Sequence, residues 1–329
     1  MSPQNASFSR EAPQLGASPV SVSSLFARAR PYALYGAFVL LIAMFTALSP
    51  VFFTEENFAN IGRQTALVSI MAVGMTTVIV TAEIDLSVAS TLALSGMSAA
   101  MAMQIYNIWW VGALAGLATG AFLGLLNGLL TTRLVIPSFI VTLGMLGIGR
   151  GIALVLTNTA PVLISNRAFA QGFGQGDLFY VPAPICWTIA TLALGAYLLH
   201  LSTFGRKLYA SGGNPVAASY SGINVAWVKT LAFVLTGILA ALAALILSAL
   251  GEAARPDSGV GLELDVIAAV ILGGTSLFGG SGTIVGTLIG SLIIGILNNG
   301  LVLVGVDSSW QIALKGFIII FAVAFSGRK

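Results

Sequence analysis

Long stretches of this chain carry no charged side chain, and residues 31–54, 87–132 and 266–306 are three of them. A charged side chain at the centre of a membrane helix costs about 2.5–3.5 kcal/mol, so charge-free runs mark where a chain can cross a bilayer. One crossing takes about 20 residues. The first run therefore fits one helix, and the second and third fit two each, the first of the last pair being short. With the remaining apolar stretches, spans are expected near 33–53, 64–81, 86–105, 109–132, 138–156, 184–203, 226–250, 265–279, 284–305 and 309–325. Only 8% of residues are charged and 57% are hydrophobic, against about 25% charged in soluble domains. The expected fold is an all-α integral membrane protein of about ten transmembrane helices.

The basic residues set the orientation. With the amino terminus cytoplasmic, the inner segments hold Arg10, Arg28, Arg30, Arg133, Arg206, Lys207, Lys229, Arg328 and Lys329, nine of the 14 basic residues. The outer segments hold Glu55, Glu56, Asp177, Glu252, Asp257, Glu263, Asp265 and Asp307, eight of the 11 acids. An even number of spans with both termini inside fits this asymmetry; an odd number would put Arg328 and Lys329 outside. Residues 1–32, rich in Ser, Pro and Ala, read as a disordered cytoplasmic tail with no signal-peptide cleavage pattern. Residues 33–329 are expected to form the transmembrane domain.

Two strings recur in the same order. Glu83-Ile84-Asp85-Leu86 opens the third span and Glu263-Leu264-Asp265-Val266 the eighth. Gly124-Leu125-Leu126-Asn127-Gly128 in the fourth resembles Gly295-Ile296-Leu297-Asn298-Asn299 in the ninth. The third and eighth spans run in opposite directions, so the pattern predicts two inverted five-helix repeats. That architecture is common in transporters.

The polar residues within apolar runs are few. Asp85, Ser87, Asn127, Asn298 and Asn299 are read as lining a translocation path or bonding between helices; unsatisfied amides are costly in lipid, and bonding between helices is the simpler role. Glu83 and Asp85 fit either membrane depth or the inner turn before the third span, held by water or a helix amino terminus. Arg63, Arg150, Arg167 and the acidic 252–265 loop fall on the outer side, where they either meet a docked partner or are simply solvated. Cys186 and His200, the sole cysteine and histidine, exclude disulfides and two-histidine metal sites within the chain and read as a core residue and an interfacial one.

The loop after the sixth span, 204–225, runs Phe204-Gly205-Arg206-Lys207 through Gly212-Gly213-Asn214-Pro215 to Ala217-Ala218 and Gly222. Asn214 and Pro215 suit the cap and first turn of a short helix. Such a helix either docks a cytoplasmic motor through its small residues or merely connects two spans. No Gly-Lys dipeptide occurs, so the chain lacks the phosphate-binding loop of ATPases. The glycine-rich Gly279-Gly280-Ser281-Gly282-Thr283 reads as a tight turn between spans.

FGRKLYASGGNPVAASYSGINV resembles the cytoplasmic coupling loop of ribose-type ABC permeases. GLELDVIAAVILGGTSLFGGSGTIVGTLIGSLIIGILNNGLVLVGV and NFANIGRQTALVSIMAVGMTTVIVTAEIDLSVAS resemble two further blocks of that family, and the resemblance runs from about residue 35 to the end. It implies a type II-like ABC importer permease in the bacterial inner membrane, carrying a pentose, hexose, polyol or related sugar. It also implies a second permease, identical or homologous, two ATPase subunits that bind the ATP, and a periplasmic sugar-binding protein, with no cofactor, metal, catalytic residue or nucleic acid on this chain. Gly205, Arg206, Gly212, Gly213, Asn214, Pro215, Ala218 and Gly222 are the implied coupling residues. Family members usually carry Gly where Ala82 and Ala89 stand, which puts the turn beside Asp85 in question, and often a basic residue near Tyr220. The alternatives are a related ABC permease for branched-chain amino acids or nucleosides, or an ion-coupled secondary transporter.

Overall fold

The computed structural model describes residues 22–325. Arg10, Arg328 and Lys329 lie outside the described residues, as do the side chains of Arg28 and Arg30. The architecture is helical. In chain order come α1 (Val22–Leu48), α2 (Glu55–Val80), α3 (Val88–Tyr106), α4 (Trp109–Arg133) and α5 (Ser138–Leu156). A crossing region follows with β1 (Val162–Leu163), α6 (Arg167–Ala170), a π turn (Gln171–Gln175), β2 (Asp177–Leu178) and β3 (Val181–Pro182). Then come α7 (Ala183–Ala196) with its π-helical end Tyr197–Leu201, α8 (Thr203–Gly213), α9 (Pro215–Tyr220) and α10 (Val225–Leu250). Last are β4 (Ala253–Ala254), α11 (Leu262–Leu272), α12 (Ile284–Leu303) and α13 (Ser308–Phe325).

Seven helices among the described residues are long and apolar enough to cross a membrane: α2, α3, α4, α5, α7 with its π turn, α10 and α12. Two expectations are corrected. Helix α1 begins at Val22, inside the segment 1–32 expected to be an unstructured tail. The eighth span, expected over 265–279, is the 11-residue helix α11. At 1.5 Å per residue it rises only about 16 Å, half of a hydrocarbon layer about 30 Å thick. Glycines end it, because Gly273 packs against the Gly286 carbonyl and Gly274 turns with φ +87°. Apolar sequence continues past the helix end, which is why charge alone misplaced it.

Helix α10 lies at the centre, packed along α4, α2 and α3. Glycines at every fourth residue of α4 make this possible. Gly112 and Gly116 abut Met103, Ala99 and Ser95 of α3, while Gly120, Gly124 and Gly128 abut Gly237, Phe233 and Thr230 of α10. Helices pack closely in lipid where small residues let their backbones approach. A Cβ at Gly128 would stand 2.7 Å from the Thr230 Cα. Helices α11 and α12 pack the same way, with Gly290 on the Ala269 carbonyl.

The bundle has two distinct ends. At one, α8 lies beside the end of α2 and the start of α12, and α9 packs on α8 and α10. At the other, β1 pairs with β4 antiparallel, Val162 opposite Ala254, and the Ile164 N–H donates to Glu252 O at 2.8 Å.

Candidate coupling face and buried polar junctions

At the α8–α9 end, local sequence explains each turn. Ser202 caps α8 by accepting from the Gly205 N–H at 3.1 Å. Asn214 caps α9 by accepting from the Ala217 N–H at 3.0 Å, with Pro215 in the first turn. Gly222, φ +80°, ends α9 in a left-handed turn, where glycine carries no Cβ penalty.

The eight expected coupling residues divide by what they face. Gly205 packs on the Leu199 carbonyl, Gly212 on the Val80 carbonyl, and Ala218 is 5% exposed. Those three touch their own chain. Arg206, Gly213, Asn214, Pro215 and Gly222 are exposed. Gly212 thus lets α8 approach α2 and Ala218 is turned inward, whereas Ala217 and Gly222 face outward. Sequence reading missed the exposed apolar pair Val216 and Tyr220, 62% and 89% exposed. With Pro215, Ser219 and Val225 they line a shallow hollow of about 380 Å³. Two large apolar side chains on one turn of a short, otherwise small-residue helix were the available signal.

This end of the bundle is tied together at several points. Tyr209 Oη donates to Gly282 O at 2.7 Å, and burial raises the pKa of this hydroxyl, so it remains a protonated donor. The Gly280 N–H donates to Val80 O at 2.9 Å. The Ile284 N–H, at the start of α12, donates to His200 Nε2 at 3.3 Å. The segment 273–283 connects α11 to α12 as expected, and Gly279 and Gly280 (φ +81° and +73°) also seat it against Gly212 and Gly213.

Inside the bundle, the expected polar residues are joined in hydrogen-bonded groups that link one element to another. Asp85, 2% exposed, accepts from the Ser87 N–H at 2.8 Å and from Ser87 Oγ at 2.6 Å. Asn127 Nδ2 of α4 donates to the same Ser87 Oγ at 2.8 Å. Asn298 Nδ2 of α12 donates to Asp265 Oδ2 at 3.3 Å, and Lys315 Nζ of α13 donates to that oxygen at 2.8 Å. Asn299 and Asn57 exchange a reciprocal amide pair at 2.9 and 3.0 Å. Glu83 lies in the turn after α2, paired with Lys229 at the start of α10. Arg150, expected on the outer surface, instead donates from within the bundle to three backbone carbonyls. Among the described residues no group of three or more His, Cys, Asp or Glu is placed to hold a metal.

At the β1–β4 end, Gln104, Asn107, Ser165 and Asn166 line a second recess of about 340 Å³.

The model of the family described as "Branched-chain amino acid transport system / permease component" matches residues 57–323. The ribose import permease protein RbsC of Escherichia coli K12 is 46% identical over 300 residues, covering 89% of this chain and 92% of its own. RbsC of Bacillus subtilis is 45% identical over 297 residues, covering 89% and 91%. The L-arabinose transport system permease protein AraH of Escherichia coli K12 is 35% identical over 309 residues, covering 93% and 94%. No solved structure matches the chain. Although the family description names amino-acid transport, these relatives are named for sugars, and the alignments run nearly end to end: the chain belongs to this permease family, within its ribose-type sugar ABC branch.

Proposed function

We propose that this chain is the membrane-spanning permease of a bacterial sugar ABC importer, and that its sugar is an aldose of the ribose kind. The observation that carries the reading is 46% identity to a ribose permease over 89% of the chain. Permeases of amino acids or nucleosides and ion-coupled carriers are not favoured by relatives named for ribose, L-arabinose and D-allose. The chain is a transport subunit of the inner membrane and not an enzyme; ATP hydrolysis belongs to a separate subunit.

In this reading the α8–α9 end is cytoplasmic and receives the ATPase on Val216 and Tyr220. Their exposure beside Arg206 and Lys207 supports that assignment. Motion of the ATPase would pass from α9 to α8, then to α2 through Gly212 and Val80, and to α12 through Tyr209, Gly282 and His200. The β1–β4 end then faces the periplasm, where the amide-rich recess beside Asn166 suits a hydroxyl-rich or polar partner surface. Two such permeases, identical or homologous, complete the membrane portion. Both termini are cytoplasmic by the same orientation, and ATP is held by the partner alone.

The test is reconstitution of the permease in liposomes with its ATPase and its sugar-binding protein. Labelled ribose should accumulate with ATP inside and should be indifferent to ionophores. Uptake that follows a proton or sodium gradient without ATP would overturn the reading. In the same system Tyr220→Ala should lower stimulated ATP hydrolysis and uptake together, with the permease still inserted.

A further inference from the structure

Arg150 stands in α5, among helices, and its guanidinium does not reach for a carboxylate. Its Nη1 donates to Pro256 O at 2.8 Å and to Ser258 O at 2.6 Å. Its Nη2 lies 3.5 Å from Ala89 O, in the first turn of α3. Three acceptors on two separate segments therefore converge on one side chain. Only arginine offers five donors in a fixed planar fork. Backbone acceptors mean that Arg150 reads the path of the chain, whatever side chains those positions carry.

The segment it grips, 255–261, leaves β4 and descends to α11. Among the described residues no other side chain outside the segment hydrogen-bonds to it. Pro256 is buried while Asp257 and Val260 are exposed. Gly259, φ +77°, lies against Leu92 and the Ala89 carbonyl. On the other side of the contact, Gly149 lets α5 close on Ser90 of α3, and Ser90 Oγ donates to Met145 O at 3.3 Å. The segment begins at the exposed pair Arg255–Asp257, 63% and 61% exposed, on the end assigned to the sugar-binding protein. Glu263 follows the segment directly, in the first turn of α11. Glu263 Oε2 is buried with no hydrogen-bond partner. A guanidinium that releases the carbonyls thus has a carboxylate waiting nearby.

We propose that Arg150 is a positioning residue for transport: it clamps segment 255–261 to α3 and α5 in the resting permease. The clamp opens, with Glu263 taking the guanidinium, when the sugar-binding protein engages the segment from outside. Release frees 255–261 from Ala89, and transport requires that release. A charged group inside a membrane bundle is costly to keep and is ordinarily functional. The inference rests on the importer reading.

The experiment uses the complete reconstituted transporter in a Cys186→Ala background. Ala89→Cys with Ser258→Cys, bridged by a short bifunctional thiol reagent, should lose ATP-driven ribose uptake by at least about tenfold and regain it on reduction. Arg150→Gln should raise ATP hydrolysis without binding protein by about fivefold and bring the stimulation by binding protein close to one, since a coupling device sets that ratio. Arg150→Lys, with one donor group in place of a fork, should fall between, and Glu263→Gln should lower stimulated hydrolysis and ribose uptake together. A bridged transporter that still takes up ribose at the unbridged rate overturns the proposal. So does an Arg150→Gln permease, assembled with its ATPase, whose stimulation ratio is unchanged. If Arg150→Gln fails to reach the membrane, the bridged pair alone decides. Failure of the importer reading looks different: the unbridged double-cysteine parent itself would show no ATP-dependent uptake.

Discussion

Two breaks in the helical bundle invite comparison, the junction from α2 to α3 and the junction from α10 to α11. Each carries a Glu-x-Asp string, and in each the aspartate is 2% exposed. Each aspartate is also linked to the asparagine that recurs with it in the sequence. Asp85 reaches Asn127 through Ser87 Oγ, and Asp265 reaches Asn298 directly. The difference lies in charge. At the first junction the outer acid, Glu83, takes the lysine, and Asp85 is satisfied by neutral donors. At the second, Asp265 itself takes Lys315, while Glu263 keeps a buried oxygen without a partner. The same motif builds a turn beside α8 whose aspartate meets only neutral donors, with Asn127 Oδ1 unpartnered, and one toward the opposite end whose aspartate is ion-paired, with Asp265 Oδ1 and Glu263 Oε2 unpartnered. A buried site with an unmet hydrogen bond is one that a change of conformation can improve. With two unmet carboxylate oxygens against one unmet amide oxygen at the first, the second junction is where movement is expected.

The largest effect should come from breaking the second junction's ion pair. Lys315→Met leaves Asp265 buried and charged with only Asn298 beside it, which costs about 3–5 kcal/mol. Purified protein should unfold at a sharply lower temperature in detergent, and adding Asp265→Asn should recover most of the loss. Next, Asp85→Ala deprives Ser87 of its acceptor and should cost about 2 kcal/mol. If it costs as much as Lys315→Met, the contrast between neutral and charged junctions fails. Glu83→Gln removes a pair near the end of the bundle, its side chains 15–17% exposed, and should cost about 1 kcal/mol, less at high salt. The smallest change runs the other way. Ala82 holds φ +62°, so Ala82→Gly should stabilise by about 0.5–1 kcal/mol as a midpoint shift. A loss there would mean the turn depends on the Ala82 side chain.

Much of this was legible in the chain. Charge-free runs located the long helices to within a few residues for α3 and α4, because a charge in lipid is costly whatever the tertiary fold. Asn214-Pro215 announced α9, since capping and a preset φ act over a few residues. What stayed illegible depended on distant neighbours. Gly212 and Gly213 look alike in sequence, yet one packs on the Val80 carbonyl and the other is exposed. Arg150 read as a surface charge because its acceptors, Pro256 and Ser258, lie more than a hundred residues further along and are backbone atoms that no side-chain pattern reveals. Helix α11 ended early because Gly273 needs the Gly286 carbonyl, a contact across a turn.

The sequence by itself determined the solvent, the helical class and the family, because exclusion of charge from lipid and local capping act residue by residue. Only the tertiary structure decided which glycines close helices and which face outward, that the eighth apolar segment is a half-length helix, and that an arginine grips a descending strap of backbone. Those outcomes depend on atoms brought together from distant parts of the chain, where a missing Cβ or one free carbonyl decides the packing.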